Sequence, residues 1–240
     1  MCYSMPVSKE TLYPSRDGQF KEGVRDAFSR LFDLLDFQVE GQKNIEFLRE
    51  GAAAVVAFFP HCGHLDAPAV RRAFPRDLRK FLFYPAASDY WFQENLSGKF
   101  RSEVSSLFLQ RFSLSRDGSG KAIMHGIDRA VELLQTGYSV VVSPEGTRST
   151  LSLSERQLHT GPAELVLRSG VPLVPVRLQG FEELLPKGLL LPKMFDGFQR
   201  RSVSVTIGEP MVFDLDTMMG PRSQQRKLIT SQLREWFLEM

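Results

Sequence analysis

At 240 residues, 42% of them hydrophobic and 24% charged, the chain is long enough for one substantial core and is ordinary for a globular protein. A formal charge of +2 is too small to mark a nucleic-acid binder by bulk electrostatics. Two cysteines, Cys2 and Cys62, make neither a disulfide framework nor a zinc ligand set, which points to a reducing cytoplasm.

Residues 1–18 read as a loose lead-in, with Pro6, Pro14 and Gly18 among polar groups and no charged-then-apolar signal pattern. From Phe20 to Leu35, apolar residues at three- and four-residue steps predict an amphipathic helix of about four turns. Its phenylalanines, with Lys21, Arg25 and Arg30, suit either core packing or docking on a bilayer surface. A short strand follows at Phe37–Glu40. The longest apolar run, Ala52–Phe59, is far short of the ~20 residues of a membrane helix and fits a strand covered on both faces. A helix then opens at Asp66, read as its N-cap, with Pro68 in the first turn. Further strands are expected at Phe81–Tyr84, Leu107–Phe112, Ser139–Ser143, Leu173–Leu178 and Ser202–Ile207, with helices at 121–136, 161–169 and 222–238. This alternation predicts an α/β sandwich with a mostly parallel central sheet flanked by helices. No repeat or linker interrupts it, so residues 1–36 read as lead-in and helix and 37–240 as a single domain.

Two segments carry chemistry. The first is HCGHLD, His61–Asp66, directly after the buried strand. A carboxylate at that spacing can fold back onto one imidazole nitrogen, fix the tautomer and leave the other nitrogen free as a base. The position, beyond the carboxyl end of a strand, is where open α/β sheets bind ligands. The spacing alone is common by chance. The second is SPEGTRS, Ser143–Ser149, after another apolar strand. Its glycine lets backbone approach a ligand, its hydroxyls and amides suit anionic oxygens, and Arg148 offers a planar fork for phosphate or carboxylate. Two further segments are FSLSR, Phe112–Arg116, and GVPLVPVRLQG, Gly170–Gly180. In the latter, Pro172 and Pro175 suggest an edge or irregular strand.

Taken together, residues 37 to about 212 resemble the glycerophospholipid acyltransferase superfamily, which includes lysophosphatidate and glycerol-3-phosphate acyltransferases. His61 and Asp66 match its His-x4-Asp block. Phe112–Arg116 match the block ending in a phosphate-contacting arginine. Ser143–Ser149 match the Pro-Glu-Gly-Thr-Arg-Ser block, and Val171–Val176 the proline-bearing last block. The four blocks stand in the family order. The resemblance implies that His61, oriented by Asp66, deprotonates an acceptor hydroxyl that attacks the thioester of acyl-CoA or acyl-carrier protein. It implies an acceptor pocket formed by Arg116, Glu145, Gly146, Thr147 and Arg148. It also implies no bound cofactor, no metal and no acyl-enzyme. The expected acceptor is lipid-like, 1-acylglycerol-3-phosphate first, and the expected location cytoplasmic, with peripheral contact to an anionic membrane.

Two positions depart from the family pattern. Gly63 stands where a serine-like residue is usual, and His159 and Thr160 precede Gly161 where a lysine is frequent. An acceptor such as a glycolipid or a secondary-metabolite alcohol stays open, as does a non-catalytic lipid-binding homologue. A metal site at His61, His64 and Asp66 is disfavoured because the segment crosses a turn, and a Cys62 nucleophile because its side chain should point away from that of His61. No Gly-x-Ser-x-Gly elbow supports a hydrolase. The basic run Arg71, Arg72, Arg76, Arg79 and Lys80 reads as a solvated face or as a contact for anionic headgroups, CoA phosphates or carrier protein. The apolar loop Leu184–Met194 reads as a cap on the core or as lining for the acyl chain.

Overall fold

The run Ala52–Phe59 forms a strand whose five ordered ladder residues, Val55–Phe59, are all buried, and the rest of the molecule is layered on its two faces. The computed structural model describes residues 16–87, 109–114, 120–184 and 192–239. In chain order these form α1 (Arg16–Ser29), β1 (Asp36–Glu40), β2 (Val55–Phe59), α2 (Asp66–Ala73), α3 (Arg76–Arg79), β3 (Leu82–Ala87), β4 (Arg111–Leu114) and α4 (Gly120–Gln135). There follow β5 (Ser139–Val142), α5 (Gly161–Ser169), β6 (Leu173–Gln179), β7 (Phe195–Asp196), β8 (Gln199–Arg200), β9 (Ser202–Ile207) and α6 (Arg222–Glu239).

Among the described residues, seven strands make one sheet in the order β1-β9-β6-β2-β5-β3-β4. The five strands from β6 to β4 run parallel. β9 is antiparallel to β6, and β1 is parallel to β9. The expected mostly parallel α/β architecture is therefore present, with a reversed pair at one edge. Side chains alternate across β2 as a pleated strand requires. Val56 and Phe58 face a cluster with Phe32, Ile45, Ala69 and Val70, whereas Val55, Ala57 and Phe59 face Val131, Leu134, Val166, Ile229 and Phe237. Burying each of these phenylalanines contributes roughly 1.5–3 kcal/mol.

Three sequence expectations need correction. β6, whose prolines suggested an edge or irregular strand, is not at an edge but lies inside the sheet between β9 and β2. Pro175 is tolerated because its polar edge faces past the last β9 ladder pair, Val176↔Ile207, where its carbonyl accepts from Gly208 N at 2.9 Å. Its missing amide therefore removes no bond to β2. The first helix ends at Ser29, and Arg30–Leu34 continues as a tighter 3-10 turn that drops Phe32 into the core. The basic run after Asp66 is only partly a solvated face: Arg76 and Lys80 are exposed, but Arg71 and Arg79 are buried. Arg71 is almost wholly buried and pairs with Glu22 at 2.6 Å and Asp26 at 2.9 Å on α1; Arg72 pairs with Asp33, and Arg76 with Asp26. Arg79 is buried on the carbonyls of Phe74 and Arg72. The Arg71 and Arg76 pairs fasten α1 to α2 and α3. The strand expected at Leu107–Phe112 is found as Arg111–Leu114, residues 107 and 108 lying outside the described residues, as do 185–191 of the apolar loop.

Candidate active site

Because β2 and β5 are neighbours in a parallel pair, the two chemically marked loops leave the sheet side by side at its carboxyl edge. In the first loop, Asp66 is not an N-cap. It is the first residue of α2, and its carboxylate turns back over the preceding loop. Oδ2 accepts from the amides of Cys62 at 2.6 Å and Gly63 at 2.8 Å, and it lies 2.8 Å from His61 Nδ1. An oxygen already accepting from two amides acts as acceptor toward the ring as well, which selects the tautomer with the proton on Nδ1 and the lone pair on Nε2 in the neutral ring. Asp66 has no exposed surface, while the His61 side chain keeps 23% of its own. The Phe58 ring packs nearly perpendicular to the imidazole, with centroids 5.3 Å apart. The carboxylate is dry and the imidazole reaches solvent.

The second loop grips the first through the backbone. Glu145 Oε2 accepts from His61 N at 2.5 Å, and Ser149 N donates to His61 O at 3.0 Å. Arg156 completes the grip. Its Nη1 donates to Glu145 Oε1 at 3.0 Å and to His61 O at 3.4 Å, and its Nη2 lies 3.5 Å from Cys62 Sγ. Glu145 and Arg156 are both buried. Burial pushes the Glu145 carboxyl up, against the opposing pull of the His61 amide and Arg156. Burial, and then the Asp66 charge, push the Cys62 thiol up to about 11, so at neutral pH it stays protonated and is a poor nucleophile.

Outside this grip the loop opens to solvent. Gly146 takes a positive φ of 68° and carries the chain round so that Gly146, Thr147 and Arg148 are exposed. Arg148 Nη1 donates to His64 Nε2 at 2.7 Å. Burial first, then Arg148 and His61, hold the His64 imidazole below the usual histidine range, which keeps Nε2 available as an acceptor. Among the described residues no carboxylate pairs with Arg148, so its charge is available to an anionic ligand. His159 packs under Gly146, where a Cβ would meet its ring at 3.4 Å.

A family model described as Acyltransferase matches residues 36–179, more than half of the chain. The chain belongs to the acyltransferase family. Its fold is similar to that of the 1-acyl-sn-glycerophosphate (LPA) acyltransferase PlsC from Thermotoga maritima. The two share 20% identity and a TM-score of 0.59 over 92% of this chain and 78% of that chain. No curated protein matches the chain.

Within this acyltransferase fold, His61, Asp66, Gly146, Thr147 and Arg148 converge at one edge. Glu145 is placed otherwise: the resemblance implies a pocket residue, but both of its oxygens are engaged inward on His61 N and Arg156. Arg116 lies outside the described residues. Arg156 was not legible in the sequence. It stands in the polar stretch LSLSERQL, where nothing separates a buried arginine from a surface one.

Proposed function

We propose that the chain is an O-acyltransferase that moves a fatty acyl group from acyl-CoA or acyl-carrier protein to a hydroxyl of a lysophospholipid-type acceptor, 1-acylglycerol-3-phosphate. The observation that supports this reading is the Asp66 Oδ2 cradle, in which two amides and His61 Nδ1 converge on one buried oxygen. In this reading His61 Nε2 takes the acceptor's hydroxyl proton as the oxygen forms its bond to the thioester carbon. The carbonyl electrons move onto oxygen and return as the C–S bond breaks, and the imidazolium gives its proton to the leaving sulfur. Asp66 holds the imidazolium's Nδ1–H throughout, as the aspartate does in a serine-protease triad. Arg148, with Arg116, holds the acceptor's phosphate, and the exposed backbone at Gly146 and Thr147 lines its approach. The reaction belongs in the cytoplasm, in peripheral contact with an anionic membrane face.

A second acceptor class is favoured by one feature: His159 stands beside Gly146 where a lysine would supply another phosphate contact. A glycolipid or other neutral alcohol suits that site. Mass spectrometry of products from a panel of acyl-CoAs and acyl-carrier proteins, with lysophosphatidate, glycerol 3-phosphate and neutral alcohols, decides between them. Phosphatidate is the expected product. Acylation of neutral alcohols alone would replace the acceptor, and no transfer from any thioester would replace catalysis with lipid binding.

A further inference from the structure

The short hairpin β7–β8 presents a hydrophobic tip that the fold does not use. Its two-residue connection is Gly197–Phe198, with Asp196 paired to Gln199 and Gly197 at a φ of 59°. Glycine at the first central position is the hallmark of the tight II′ turn, whose twist matches a hairpin. The turn leaves Phe198 wholly exposed, at 107% relative accessibility, and Phe195 about half exposed. Single exposed apolar residues need no explanation, but this one is not alone. Arg200 Nη1 donates to Asp33 O at 3.1 Å, which brings the hairpin against the 3-10 turn carrying the exposed Leu34. The stem is rooted: Arg201 N donates to Met194 O at 3.0 Å, Asp36 N to Arg201 O at 2.9 Å, and Met194 is buried in the core. The tip is therefore a fixed projection of the folded body.

Its position and charge select an occupant. β9 runs antiparallel to β6, with Gln179 opposite Ser204, so the hairpin that precedes β9 stands at the edge where β6 and β2 end. That edge carries His61. β9 is two strands from β2, a lateral separation of about 10 Å. Around the tip stand Lys193, Arg200 and Arg201, with Asp196 in the same segment and Asp33, Asp36 and Glu183 on the segments it touches, of which Asp33 is already paired with Arg72. Arg201 is paired with Glu183 at 2.7 Å, while Arg200 contacts only a carbonyl among the described residues. The opposite edge offers the contrast. Val212 and Met219 are also highly exposed there, but residues 209–220 contain Glu209, Asp214 and Asp216 and no lysine or arginine. An apolar tip flanked by cations fits an anionic phospholipid surface, and an apolar patch among carboxylates does not.

We propose that the β7–β8 hairpin docks the protein on an anionic bilayer, with Phe198 inserted at the acyl boundary and Lys193 and Arg200 at the headgroups, so that the catalytic edge faces the surface holding a lipid acceptor. The choice of a lipid acceptor rests on the acyltransferase reading above; the docking is measured without turnover. The full chain is partitioned onto vesicles of phosphatidylglycerol with phosphatidylcholine and onto phosphatidylcholine alone. Binding is expected to the anionic vesicles and to weaken with salt. Phe198→Asp is expected to lower it about tenfold or more with an unchanged melting temperature, since the tip touches no core. Phe198→Trp is expected to retain binding, with its added fluorescence quenched by brominated lipid. Equal partitioning of parent and Phe198→Asp, absence of quenching, or failure of the parent to bind anionic vesicles would each overturn the docking. A concentration-dependent dimer abolished by Phe198→Asp would reassign the tip to a second copy of the chain. Retained docking with no acyl transfer to any acceptor would overturn the catalytic reading instead.

Discussion

The loops after β2 and β5 leave adjacent strands at one edge, yet they differ in how they are held. Each polar backbone group of His61 is bonded to the neighbouring loop or to Arg156, and the carboxylate behind its ring is buried. Three residues beyond Glu145, by contrast, Arg148 stands exposed, with His64 as its side-chain partner among the described residues. Chemistry that needs one ring nitrogen aimed at a reacting proton benefits from the first kind of support. Recognition of an exchangeable anionic ligand benefits from the second, because an arginine already paired with a carboxylate has less to offer. In the proposed reading, positioning and recognition are thus divided between the inner and outer parts of this edge.

Substitutions can break or sharpen that division. Asp66→Asn removes the charge that in the proposed mechanism stabilises the imidazolium, and is expected to lower kcat by up to about 10⁴-fold, read in a steady-state thioester assay. Arg156→Met leaves Glu145 buried without its partner and is expected to cost about 3–5 kcal/mol of unfolding free energy by denaturant titration. Adding Glu145→Gln should restore part of that stability, because the unpaired charge is gone; no restoration would mean the pair is not what holds the His61 loop. On the open side, Arg148→Ala should raise the KM for a phosphorylated acceptor about 10- to 100-fold with kcat nearly unchanged. A neutral acceptor should show no such change. The smallest effect concerns His64. Its folded-state value is depressed, so the stability tied to its neutral form is present above its unfolded value, about pH 6.5, and is lost as pH falls through the depressed value. The denaturation midpoint should fall more steeply on acidification in the parent than in His64→Ala.

The parallel strands were legible because their apolar runs, such as Ala52–Phe59, can only be buried on both faces. The position of β6 was not, because a proline reports a missing amide without saying which side of the strand lacks a partner. His61 and Asp66 could be paired from spacing, but the amides of Cys62 and Gly63 that fix Asp66 depend on a loop conformation no side chain announces. The same limit hid Arg156 and the inward turn of Glu145. Both serve the fold of a neighbouring loop, reached only when β2 and β5 lie side by side. The run Arg71–Arg79 misled for the opposite reason: its acidic partners Glu22, Asp26 and Asp33 sit some 40 to 50 residues earlier, on α1 and the turn after it.

The measurement that bears most directly on the account is kcat/KM for thioester-to-hydroxyl transfer by His61→Ala, with its circular dichroism and melting temperature recorded beside the parent's. A native-like fold with kcat/KM lowered by at least about 10²- to 10⁴-fold is the expected result. Near-parental turnover by that variant would contradict the role of His61 as the base.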